Sequence, residues 1–170
     1  MGAGIHVSSY TSVMEISSTA FKNGETIPGR YTCDGDRKLS PPLTINGVPD
    51  GAKSIVLIMD DPDIPAAVRE ARGIEVFDHW VLFNIPADTT EIPEGVVVGM
   101  EGVNTAGVSG YTGPCPPPEY EPSEHRYIFK LYALDEMLPL SVGATKSEVL
   151  TALASHVLAE AKLTGRYSRK

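Results

Sequence analysis

Basic residues are scarce in this chain. Lys and Arg number 14 against 22 Asp and Glu, a formal net charge of -8, and the only basic grouping is the scattered Arg166, Arg169 and Lys170 at the end. A nucleic-acid surface needs a basic face that releases counterions, so that class of partner is excluded, while a small anion in a local pocket is not. Long apolar runs are missing as well. None approaches the ~18 residues that span a bilayer, and Met1 to Val13 has neither the basic start nor the apolar stretch of a signal peptide. No membrane span and a cytoplasmic location are therefore expected. Cysteine is limited to Cys33 and Cys115, which offer no CxxC spacing for zinc or redox work. In a cytoplasmic protein two free thiols are the expected state.

What is present describes an ordinary globular chain of 170 residues, 42% hydrophobic and 21% charged. That length buries one sizeable core, so a single domain over 14–170 is expected, with 1–13 as a flexible extension lacking a core pattern. Sixteen glycines and fourteen prolines cut the sequence into short pieces rich in Val, Ile, Leu, Phe and Tyr, which reads as mostly β. The clearest strands are Ser54 to Met59, His79 to Ile85 and Arg126 to Leu134, with weaker ones at Met14 to Phe21 and around Leu43 to Asn46. The three strong segments are apolar on both alternating faces, the mark of strands covered on two sides, so an antiparallel β-sandwich with few short helices is the expected architecture. One longer helix is expected near the C-terminus. Thr145 and Glu148 form a capping box, Val149, Leu150, Leu153, Val157, Leu158 and Ala161 recur at helical spacing, and Gly165 is placed to end it.

Three polar signals fall at the ends of those strands: "DDPDIP" at Asp60 to Pro65, "DHW" at Asp78 to Trp80, and "EHRY" at Glu124 to Tyr127. If the strands are antiparallel neighbours, these ends share one rim. Two of the four histidines, His79 and His125, lie there. With Asp61 they form a set able to bind a phosphate-like anion, hold a divalent metal or move a proton. Blander readings stand beside each piece. Asp-Pro-Asp is a common turn builder, His79 fits a satisfied half-buried histidine, Tyr127, Phe129 and Leu131 read as core, and Arg126 reads as a partner for Asp61, Asp63 or Asp78. The run "GPCPPPEYEPSEH" before the third strand is stiffened by proline and suits a wall that loses little entropy when a ligand docks.

Together, "DDPDIP", "DHWVLFNIP", "GYTGPCPP" and "HRYIFKLYAL", with "AFKNGETIPGRYTCDG" and "LSPPL" before them and "HVLAEAKLTGRY" after, resemble the phosphatidylethanolamine-binding protein family, also called Raf kinase inhibitor-like, in its prokaryotic branch. The resemblance runs from about Met14 to Tyr167. It implies a β-sandwich with a C-terminal helix, homodimers as in prokaryotic relatives, and an anion pocket built from Asp61, His79, Gly113, Pro114 and His125; Cys115, inside the Gly-Pro segment, is expected to face that pocket as well. Imidazole N–H groups and backbone amides near Gly113 would meet the anion, and Asp61 would orient a histidine or take a ligand amine. The implied function is non-enzymatic: binding of phosphate or a zwitterionic head group such as phosphorylethanolamine, and inhibition of a kinase or protease, with no cofactor. Family members reach the His-Arg-Tyr motif through a short Gly-X-His approach, whereas "PEYEPSEH" stands here, so a longer and more acidic rim is expected. The alternative is a hydrolase using Asp61, His79 and His125, or a Cys115–His nucleophilic pair. It lacks a nucleophile elbow, a P-loop and HExxH spacing.

Overall fold

The computed structural model describes residues 13–170; all but the last residue of the expected N-terminal extension lies outside them. The strands are β1 (Glu15–Ser17), β2 (Leu43–Asn46), β3 (Ser54–Asp61), β4 (Phe77–Pro86), β5 (Glu91–Ile92), β6 (Met100–Glu101), β7 (Glu124–Leu134) and β8 (Val157–Ser168). Helix α1 spans Ala66–Arg72 between β3 and β4, and helix α2 spans Lys146–Leu153 before β8. Two antiparallel sheets result, of order β1-β2-β5 and β6-β4-β3-β7-β8.

Every residue of β3 is buried, and the alternation of its side chains explains why. Ile55, Leu57 and Met59 point into the cluster between the sheets, where they meet Ile16, Leu43, Ile45, Phe129 and Leu131. Val56 and Ile58 point the other way, into a second cluster closed by Val149 and Leu153 of α2. β3 and the middle of β4 thus have one sheet and one helical layer over their two faces, whereas β7 is buried on its inward face only, with Arg126, Ile128, Lys130 and Tyr132 exposed or half-buried on the other. Central placement of β3, with β4 and β7 antiparallel on either side, sets Asp61 opposite Phe77 and brings the start of β7 to the same rim.

The expected C-terminal helix begins where its capping box puts it. The Thr145 hydroxyl accepts from the Glu148 N–H at 3.2 Å, and the Glu148 carboxylate accepts from the Thr145 N–H at 2.8 Å. It ends at Leu153, however, and Val157, Leu158 and Ala161 belong to β8. There the inward positions are Ala159, Ala161, Leu163, Gly165 and Tyr167, paired in register with β7, while Val157, beyond a register shift, packs on the α2 side. Small residues at inward positions and Leu158, 45% exposed on the outer face, hide the period of two. Gly165 is no helix stop. A Cβ there would lie 2.5 Å from the Ile27 side chain, so glycine is required by packing.

Candidate functional site

The local chemistry of "DPD" decides the first side chain of the site. One oxygen of Asp61 accepts the Asp63 N–H at 2.8 Å, the usual Asx turn, and the other accepts from Nδ1 of His125 at 2.7 Å. The turn-building and the histidine-orienting readings are therefore both true. Asp63 takes the Arg126 backbone N–H and two guanidinium N–H groups, at 2.9, 2.9 and 2.8 Å, which draws its pKa down and clamps the 61–63 turn to β7.

His125 is 1% exposed and its Nδ1 carries the hydrogen, because the Asp61 carboxylate can only accept. Its Nε2 is buried with no hydrogen-bond partner in the protein, and the same holds for the hydroxyl of Tyr127, two residues on along β7. His79, on β4, donates from Nδ1 to the Thr112 carbonyl at 2.7 Å. Burial holds the His79 pKa below its usual value, outweighing the Thr112 carbonyl and the charges of Asp61, Asp78 and Asp60, so the ring is neutral at pH 7 with its lone pair on Nε2. The rings form a contiguous series. Phe77 tilts against His79 with centroids 4.9 Å apart, His79 sits edge-on to Tyr127 at 5.2 Å, and Tyr127 stacks on His125 at 6.3 Å.

These groups open on one cavity of about 360 Å³, walled by Ile64, Pro65 and Val68 on one side and by Gly113, Cys115, Pro116 and Pro117 on the other. Of the sequence-predicted residues it gathers Asp61, His79, Gly113, Cys115 and His125. Pro114 is not among its lining residues; its carbonyl accepts from the Cys33 N–H at 3.0 Å. The wall loop is pinned to β4 by buried Asn104, whose amide donates to the carbonyls of His79 and Gly110 and to the Thr112 hydroxyl.

Four expectations are corrected here. Cys33 and Cys115 are not free thiols; they form a disulfide, because the fold lays the 29–36 segment on the wall loop with Cα atoms 5.3 Å apart. No Cys115–His nucleophilic pair exists in consequence. The Gly113 N–H does not face the cavity but donates to the Arg37 carbonyl at 2.7 Å, and the glycine is needed because a Cβ would collide with the Tyr31 carbonyl. Finally, none of Glu119, Glu121 and Glu124, expected to make the rim acidic, lines the cavity. Glu124 turns away to pair with Arg166 at 3.1 Å, and Arg37 and Arg72 are the charged lining residues that sequence reasoning missed. Tyr127 was assigned to the core and serves both, since it shares the inward face of β7 with His125; that two-residue spacing was the available signal.

Among the described residues, the group closest to a metal-ligand set is Asp135, Glu136 and His156, exposed or half-exposed at the opposite end of β7, with His156 already bonded to Asp135 at 2.8 Å. Among the described residues, no helix is long and apolar enough to cross a membrane.

The family model described as phosphatidylethanolamine-binding protein matches residues 17–168. The chain belongs to the phosphatidylethanolamine-binding protein family. A UPF0098 protein of Methanothermobacter thermautotrophicus is 47% identical to it over 163 residues, covering 92% of this chain and 99% of the relative. Among solved structures, a phosphatidylethanolamine-binding protein homologue of Chlamydia trachomatis superposes with a TM-score of 0.85 at 41% identity, covering 93% of this chain and 99% of that one. E. coli YbcL, described as a member of the mammalian family, superposes with a TM-score of 0.79 at 29% identity, covering 94% and 100%. Family membership accords with the two-sheet fold and with the motifs that build the rim.

Proposed function

We propose that this member of the phosphatidylethanolamine-binding protein family is a non-enzymatic binding module for small phosphate-type anions. The observation that carries the reading is the pair of buried polar atoms without protein partners, His125 Nε2 and the Tyr127 hydroxyl, on residues that line one cavity with His79. Buried polar groups are nearly always satisfied, and those that are not mark where a ligand completes the bonding. Phosphate oxygens accept from the Tyr127 hydroxyl and from protonated imidazole, and an anion beside His79 favours its protonated form, so binding takes up a proton near neutral pH.

Chemistry on a substrate is the weaker reading for this site. The thiol that would have served as nucleophile is tied up in the disulfide, and both oxygens of Asp61 are held by hydrogen bonds. Regulation of a protein target, the other half of the family expectation, would use the run Glu119 to Ser123, exposed as far as Pro122, which follows the pocket residues Pro116 and Pro117 after one further proline. Deleting those residues should abolish inhibition of a kinase or protease while sparing anion binding.

The test is an NMR titration of the imidazole signals with inorganic phosphate, assigned with His79→Ala and His125→Ala. Saturable shifts at both rings, lost in either variant, are expected, and calorimetry in two buffers of different ionisation enthalpy should show the proton uptake. Rings that stay silent while the protein remains folded would overturn the reading.

A further inference from the structure

The pocket's electrical sign is opposite to that of the molecule. In a chain of net charge -8, the charged side chains that line the cavity are Arg37, Arg72 and Asp61, apart from the titratable imidazoles. Among the described residues the arginines fall into two groups. Arg30, Arg69, Arg126, Arg166 and Arg169 each hold a carboxylate, that of Glu94, Glu75, Asp63, Glu124 or Asp34. Arg37 and Arg72 hold none, and both line the cavity. Both are exposed, so their guanidiniums are hydrated, and with no carboxylate neutralising them they are free to bond an anion entering the cavity.

Their placement is specific. Arg72 ends α1, and its guanidinium lies over the Phe77 ring, 5.6 Å from the centroid, which puts it one ring away from His79. Arg37 is held at its backbone by the Gly113 N–H, so its side chain starts from the opposite wall. The only lining carboxylate, Asp61, has one oxygen on the Asp63 N–H and the other on His125. Both oxygens are thus already engaged, and its single negative charge is shared with His125, against two guanidiniums at the mouth.

The geometry points to Arg37 and Arg72 as the residues that make this pocket select a phosphate monoester in its dianionic form over a zwitterionic head group. This rests on the anion-pocket reading above and sharpens it. The cationic mouth raises the local concentration of a dianion and repels an ammonium, and the effect weakens as salt screens it.

A matched pair of probes tests this: n-propyl phosphate and phosphorylethanolamine, of equal length and differing by the terminal ammonium. Calorimetric titration at low salt and pH 8 should show propyl phosphate binding about tenfold tighter to the native protein. In the double variant Arg37→Gln, Arg72→Gln the two probes should bind alike, with the histidine NMR shifts still present. Equal or tighter binding of phosphorylethanolamine by the native protein would overturn the inference, as would a preference that survives in the double variant; both outcomes leave the anion pocket standing. Binding of neither probe would overturn the pocket reading and this inference with it.

Discussion

Asp60 and Asp61 are neighbours on β3, equally buried, and they belong to two different sites. Asp60 points to the outer layer, where Lys130 and Lys146 each reach it at 2.8 Å. Asp61 points to the cavity and holds a single histidine whose far nitrogen is left without a protein partner. The first is a closed ion cluster that ties β3 to β7 and to the start of α2. The second is left one partner short on the side where the cavity lies. Buried charge is costly unless its hydrogen bonds are complete, so a completed cluster reads as structure and an incomplete one as a place for a ligand.

Breaking the closed cluster should have the largest effect. Lys130→Met with Lys146→Met strands the Asp60 carboxylate and should cost about 3–5 kcal/mol in chemical denaturation, with the imidazole response to phosphate unchanged. Restoring stability with Asp60→Leu on that background would show that the loss was the uncompensated charge. On the pocket side, Cys33→Ala with Cys115→Ala removes a bond across a separation of 82 residues and should cost about 4 kcal/mol. Here, unlike in the lysine variant, phosphate affinity should fall as well, since the wall is no longer fastened.

Thr145→Ala removes the cap that starts α2 immediately before Lys146 and should cost about 1 kcal/mol, read in Tm, without touching the pocket. The smallest effect separates the two sites by pH. The His79 pKa is lowered on folding, so the unfolded chain binds the extra proton first. The stability His79 contributes is whole above about pH 6.5 and is lost as pH falls through its lower folded pKa. His79→Gln should flatten the stability profile below pH 6.5, whereas Thr145→Ala, which touches no titratable group of the pocket, should leave its slope near pH 6 unchanged.

Much of this contrast was legible before folding. The three strands apolar on both faces implied two covering layers, and the order of the motifs put Asp61, His79 and His125 on one rim. The capping box at Thr145 marked the start of α2 because a cap is a local bargain between side chain and backbone within four residues. Its end was not legible, since the small inward residues of β8 carry no periodic signal of their own and the strand exists only because β7 lies beside it.

By itself, then, the sequence determined the class of fold, the strand ends where polar residues interrupt apolar runs, and the residue types at the site, because these follow from short-range alternation, turn chemistry and composition. Only the tertiary structure decided that two cysteines far apart in sequence would meet, that Gly113 would spend its amide on Arg37, that Glu124 would turn toward Arg166, and that the two arginines without carboxylates would face one cavity. Those outcomes depend on which surfaces are brought together from distant parts of the chain, and charge pairing is settled only there.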